Sequence, residues 1–201
     1  ALPSRRVPFV GLTGGLGAGK STALQALERL GAATLSTDAV VHDLYGTAAV
    51  RDAVVGRWGR DVAPDGVVDR RAVAGHAFAS PGERAWLEGL LWPLVAERVA
   101  AWHDELRYRD PRPVAAVVET PLLFEAGLEG RYDATIAVIA DEAVRAERAA
   151  ARGHAAVDER AARQLSQEEK AARATYVVRN HGTIEDLERD LSAVLGRLLS
   201  A

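Results

Sequence analysis

Gly14-Gly15-Leu16-Gly17-Ala18-Gly19-Lys20-Ser21 has the form G-x-x-x-x-G-K-[ST]. These residue types at this spacing suit the cradling of a phosphate chain. Glycines let successive backbone N–H groups turn inward around an anion without Cβ clashes. A helix beginning near Lys20 adds its positive end. The Lys20 ammonium reaches β- and γ-phosphates, and the Ser21 hydroxyl is a ligand for Mg²⁺. A ligand-free glycine-rich turn is the alternative, and the complete motif between a strand and a helix argues against it.

Other side chains could complete a phosphoryl-transfer site. Asp38 follows a short strand, on the same sheet edge as the loop if the sheet is doubly wound. A carboxylate there can orient an acceptor hydroxyl and take its proton, or it can cap the helix it opens. Glu119 follows the strand expected to be central. It is either an acid that helps hold Mg²⁺ through water or a plain strand-end carboxylate. Arg145, Arg148 and Arg152 share one helix face. They can close over a triphosphate, or stay solvated beside Glu142 and Glu147. Arg148 is the one singled out as a lid residue. Glu125 belongs either to the site or to a structural turn at 121–125. The five histidines show no metal-ligand spacing.

The elements that must position these groups follow from pattern. Val7–Leu12 is an apolar run ending in the glycine-rich turn and reads as a buried strand. Leu24, Leu27 and Leu30 keep helical spacing until Gly31. Residues 33–36 read as a second strand and 39–45 as a helix, so the chain opens β-α-β-α, the pattern of a parallel sheet. From 50 to about 109 no strand is evident. Residues 70–78 look helical, and Ser80-Pro81-Gly82-Glu83 has the form of a capping box. The helix after it should kink or divide at Pro93. Strands resume at 114–118 and 134–139, apolar on both faces. Helices are expected at 141–152 and 161–173, a last strand at 176–178, and a closing helix striped by Ile184, Leu187, Leu191, Val194, Leu195 and Leu198. The expected organisation is a core at about 7–49, 113–140 and 174–201, a helical insertion at about 50–110 and a lid at about 141–165.

Composition narrows the function further. The 201 residues are 48% apolar and 26% charged, with net charge -3, which suits a globular domain and argues against a nucleic-acid binder. No Cys is present, so disulfides, thiol nucleophiles and Cys-ligated zinc are excluded. No apolar run spans a membrane and no signal peptide opens the chain, so a cytoplasmic location is expected. Against 23 Arg there are only two lysines, Lys20 and Lys170, and one of the two is expected to matter. Asn180 is the only Asn, and His181 follows it, so the N-K-x-D guanine motif is absent. The size fits a small-molecule kinase with an acceptor-binding insertion and an arginine lid.

These residues carry a resemblance. Gly11 to Thr22, then Leu30-Gly31-Ala32, then Ser36-Thr37-Asp38-Ala39-Val40-Val41-His42 resemble the dephospho-coenzyme A kinase family. Pro121-Leu122-Leu123-Phe124-Glu125 resembles its most distinctive short motif. Gly66-Val67-Val68-Asp69-Arg70, Arg160 with Gln164, and Asn180-His181-Gly182-Thr183 fall in the family's order. The resemblance spans about residues 7 to 195. Trp92-Pro93 departs from the family's frequent His-Pro, and Ser36 stands where the first Asp of a frequent D-A-D triplet would be.

The resemblance implies a three-layer α/β P-loop fold and the last step of coenzyme A synthesis. ATP, with Mg²⁺, would phosphorylate the ribose 3′-hydroxyl of dephospho-coenzyme A. Asp38 would then be the base. Gly14, Gly15, Gly17, Ala18, Gly19, Lys20, Ser21, Thr22 and Asn180 would hold the nucleotide. Ser21 and Glu119 would hold the metal, and Asp38, Arg70, Phe78 and Leu123 the acceptor. Lys20, Asp38 and Arg148 would be catalytic, in a monomer with no nucleic-acid or membrane partner. The clustered Trp58, Trp86, Trp92 and Trp102 are either core or pantetheine contacts. The rivals are a kinase for a nucleoside, nucleotide or sugar acid, and a regulatory protein that binds ATP without transferring phosphate.

Overall fold

The structure is a computed structural model that describes residues 6–151 and 163–201. Five strands form one sheet: β1 (Phe9–Gly14), β2 (Ala33–Ser36), β3 (Ala116–Glu119), β4 (Ala134–Ile139) and β5 (Tyr176–Arg179). Their order is β2-β3-β1-β4-β5, and every pairing is parallel. Parallel neighbours need crossover connections, which is why helices alternate with strands along this chain. β3 and β4 are buried at every residue, as their mainly apolar runs require, and Glu119 and Thr135 are buried with them.

β1 lies between β3 and β4. Leu12 stands in register with Glu119 on one side and Ile136 on the other. The carboxyl ends of the three central strands thus share one edge, where parallel sheets bind ligands. The core beneath packs Val10, Leu12, Val117, Ile136 and Val138 against Leu27 of α1 (Lys20–Arg29) and Leu187 and Leu191 of the closing helix, Ile184–Ser200.

The chain divides into two compact units, one running to Ser36 and resuming at His103, the other Thr37–Trp102. This places the helix after β2 with the second unit. That unit contains α2 (Thr37–Tyr45), α3 (Ala48–Trp58), α4 (Arg70–Ala77) and most of α5 (Pro81–Glu105). Thr47 caps α3 and Asp69 caps α4, each with a side-chain oxygen on a backbone N–H. Trp58 packs edge-on to Trp86 at 5.1 Å and stacks on His76.

Three local expectations need correction. Ser80 accepts the Glu83 N–H as a cap should, but the Glu83 carboxylate turns to Arg57 and Trp58, so the reciprocal half of the box is not made there. The Arg57 and Trp58 bonds hold the Glu83 pKa below the usual carboxylate range. Pro93 does not divide α5. The proline removes the bond to the carbonyl of Gly89, and Gly89, Trp92 and Pro93 are exposed, so water can take that acceptor. The helix expected to run to Arg173 is interrupted at 164–166. Ser166 starts a new helix there, Gln167–Arg173, with a complete capping box to Glu169.

After Glu142–Ala151, which we call α6, the described helices are α7 (Gln167–Arg173) and α8 (Ile184–Ser200). Arg152, Arg160 and the middle of the expected lid lie outside the described residues.

Thr183 and Asp186 form the second complete capping box, at the start of α8. Thr183→Ala should lower the urea midpoint by an amount worth about 1 kcal/mol without changing the slope. Asp186 accepts the Thr183 N–H, which holds its carboxyl below the usual range. A depressed folded pKa stabilises above the unfolded value and is lost as pH falls through the folded one. The stability gap between the parent and Asp186→Asn should therefore be full at neutral pH and close as denaturation is repeated below about pH 4.

Candidate active site

β1 ends at Gly14, and the chain must turn at once into α1. Gly17 (φ 73°) and Gly19 (φ 92°) take left-handed conformations that make this turn possible. An ideal Cβ on Gly17 would lie 2.5 Å from the backbone O of Arg145, and one on Gly19 2.1 Å from Asn180 Nδ2. Both glycines are thus required by backbone angle and by close approach. Gly19 caps α1 without a side chain, and no acid sits in the first turn, so the positive end of the helix is left unneutralised.

Every loop carbonyl from Gly14 to Gly19 has a donor. Lys20 Nζ donates to Gly14 O at 2.9 Å and to Gly15 O at 3.2 Å. Arg145 Nε donates to Leu16 O at 3.0 Å, and Arg148 Nη1 reaches Gly17 O at 3.4 Å. Asn180 Nδ2, from a buried side chain, donates to Ala18 O at 3.0 Å. The Ala23 N–H takes Gly19 O. In a trans peptide the N–H points opposite the C=O. Arg145, Arg148 and Asn180 therefore hold three peptides with their N–H groups turned to the other side of the loop.

The arginine face thus meets the loop through both Arg145 and Arg148, and Arg145 also pairs with Glu142 at 2.8 Å. Arg145 thus has the Glu142 partner expected of a solvated face and also reaches the loop backbone. The spacing places both arginines on the face, but Arg145 makes the shorter contact.

Glu119 ends β3, is buried, and stands in register with Leu12 and with Ser36. Ser21 and Thr22 lie in the first turn of α1, with Ser21 exposed. These hydroxyl and carboxylate oxygens are the hard donors that suit Mg²⁺. Leu123 is fully buried, and a Cβ on Gly11 would come within 2.5 Å of its Cδ1. Its side chain therefore packs the turn after β3 onto the β1 backbone.

In the second unit, Asp38 is exposed and lies inside the first turn of α2. The helix starts at Thr37, and Asp38 is the acid of its first turn. Arg70 opens α4 and Phe78 closes it, both exposed. Trp92 is also exposed, at 47%.

A parallel sheet whose central strand runs through a glycine loop into a helix headed by Lys20 and Ser21 defines a P-loop nucleotide-binding protein. The comparisons narrow this class. Residues 8–186 match the family described as CoaE, dephospho-CoA kinase. The dephospho-CoA kinase of Geobacter sulfurreducens is 37% identical over 92% of this chain and 96% of its own. That of Anaeromyxobacter dehalogenans is 38% identical, over 94% and 91%. The crystal structure of TT1252 from Thermus thermophilus matches with TM-score 0.74 and 35% identity, over 96% of this chain and 99% of that one. The chain belongs to the dephospho-CoA kinase family.

Gly17→Ala should weaken binding of an ATP analogue by at least about tenfold in calorimetry, because left-handed strain of about 1–3 kcal/mol adds to a clash with α6. Gly31 has φ 93° but no atom within 3.4 Å of its ideal Cβ. Gly31→Ala should therefore lower the thermal midpoint and leave analogue affinity unchanged. Equal affinity losses in both variants would mean that contact with α6 is irrelevant to the loop.

Proposed function

We infer that this protein transfers the γ-phosphoryl group of ATP to the ribose 3′-hydroxyl of dephospho-coenzyme A, giving coenzyme A and ADP. The observation that carries the reading is family membership across 8–186 together with an intact phosphate loop whose carbonyls are all turned to donors.

The roles follow from the chemistry of each group. Lys20 already sits at the loop mouth and exchanges the Gly14 and Gly15 carbonyls for β- and γ-phosphate oxygens. The loop N–H groups and the α1 terminus take the phosphate charge. Ser21 and Glu119 would hold Mg²⁺, which supplies charge neutralisation between the phosphates. Arg145 and Arg148 exchange loop carbonyls for phosphate oxygens, a move favoured because phosphate adds a full negative charge and bidentate geometry to the guanidinium's bonds. Asp38 takes the proton of the acceptor hydroxyl as it attacks. Arg70, at the start of α4, anchors the acceptor's phosphates, Phe78 at its far end is a further acceptor contact, and the 37–102 unit is the acceptor-binding part.

Purified protein should phosphorylate dephospho-coenzyme A in preference to nucleosides, nucleotides and sugar acids. Preference for another acceptor, or slow ATP hydrolysis whatever acceptor is present, would overturn this reading. Lys20→Ala should nearly abolish transfer in a folded protein. Asp38→Asn should keep ATP affinity and lose about 10²–10⁴ in kcat. Retained kcat with a lowered thermal midpoint would make Asp38 a helix-terminus residue only.

A further inference from the structure

Lys170, the second of the two lysines, is fully buried on α7. Its Nζ donates to Pro121 O at 3.0 Å and to Gln164 Oε1 at 3.5 Å, and lies 3.1 Å from Glu125 Oε1. Glu125 Oε1 also accepts the Leu165 N–H at 2.8 Å, while Oε2 is buried with no hydrogen-bond partner among the described residues. Burial pushes the Lys170 pKa down, and Glu125 pulls it back up. Stability is a weak reason to keep such a pair. Desolvating the ions costs several kcal/mol each, and an apolar replacement of similar volume often serves a core as well.

The pair does join segments that the reaction needs joined. Pro121 O accepts a second bond, from Thr13 Oγ1 at 3.2 Å, one residue before the phosphate loop. Two residues before Pro121 stands Glu119. One turn earlier on α7, Gln167 brackets Ala140, accepting its N–H at 2.8 Å and donating to its O at 2.7 Å. α7 therefore fixes the ends of β3 and β4, the two neighbours of β1, where Glu119 and the arginine helix leave the sheet.

We propose that Lys170 is a positioning residue for phosphoryl transfer, holding Glu119 level with the phosphate loop through Pro121 and Glu125 while touching neither metal nor nucleotide. The proposal rests on the reading of Glu119 as a metal-holding acid.

The test is Lys170→Met/Glu125→Gln, which removes both charges, fills the volume and keeps an acceptor for Leu165. Affinity for a non-hydrolysable ATP analogue is measured by calorimetry with and without Mg²⁺, beside kcat, KM and the thermal midpoint. The variant should fold with a midpoint close to the parent's and bind the analogue normally without metal. The tightening by Mg²⁺ and the kcat should each fall about 10–100-fold, the scale of a lost supporting contact, with KM for the acceptor little changed. A folded variant with the parent's Mg²⁺ effect and kcat overturns the proposal. If the double variant does not fold, Glu125→Gln alone decides on the same readouts.

Glu119→Gln should reproduce the loss, and adding it to the double variant should cost little more, because coupled residues are not additive. Fully additive losses would show that the pair does not act through Glu119, and would overturn the proposal. An unchanged Mg²⁺ effect in Glu119→Gln would overturn it too, by removing Glu119 from the metal site. The parent's activity on dephospho-coenzyme A, measured separately, would then still support the proposed reaction.

Discussion

A loop that offers backbone N–H groups to an anion must dispose of its carbonyls elsewhere, and the rest of this fold is arranged around that need. Each peptide carries one donor and one acceptor on opposite sides, so turning the N–H inward drives the C=O outward. In a buried loop an unpaired carbonyl costs about 1–3 kcal/mol, and Gly14, Gly15, Gly17, Ala18 and Gly19 are all buried. The donors come from far apart in the chain: Lys20 from α1, Arg145 and Arg148 from α6, and Asn180 from just after β5. The sheet order brings them together, because β4 and β5 follow β1 in space and deliver α6 and Asn180 to the loop's side.

The same sheet order explains why polar groups are buried at the carboxyl edge. Glu119, Thr120, Lys170 and Asn180 are all buried there or beside it. Two of them make bonds at strand ends. Thr120 donates its N–H to Leu12 O and shares its hydroxyl with Tyr132. Asn180 donates its own N–H to Ile139 O and its side chain to the loop. An apolar residue at 180 would keep the backbone bond to Ile139 O but leave the Ala18 carbonyl without its donor.

Much of this was legible in the sequence, and the misses have physical causes. β4 falls where its apolar run begins and ends, while β3, equally buried, starts two residues later than its run and takes in Glu119. The apolar run before the loop puts β1 two residues early. Its pairing continues through Thr13 and Gly14 up to the loop, and glycine carries no strand signal. The break before α7 was hidden because Ser166 and Glu169 sit in a run of Ala, Gln, Glu and Arg that favours helix on both sides. Helical spacing puts Arg145 and Arg148 on one face, but spacing sets a face and not a contact distance. The scarcity of lysine marks Lys170, while nothing local shows that its partners are Pro121 and Glu125, more than forty residues away along the chain.

In the proposed reaction a nucleotide would compete for the two arginine contacts that hold the loop. A hydrogen bond from an arginine to a neutral carbonyl is worth about 1.5–3 kcal/mol net. Arg148 reaches its carbonyl only at the long end of the range. A phosphate oxygen offers the same guanidinium a full negative charge and a bidentate geometry. In the proposed reaction, the arginines of α6 would gain that charge against the cost of freeing the Leu16 and Gly17 carbonyls. Asn180, which is buried and neutral, would gain nothing from a phosphate charge. In that proposed exchange the Asn180 bond to Ala18 O would stay in place and keep the peptide after Ala18 fixed.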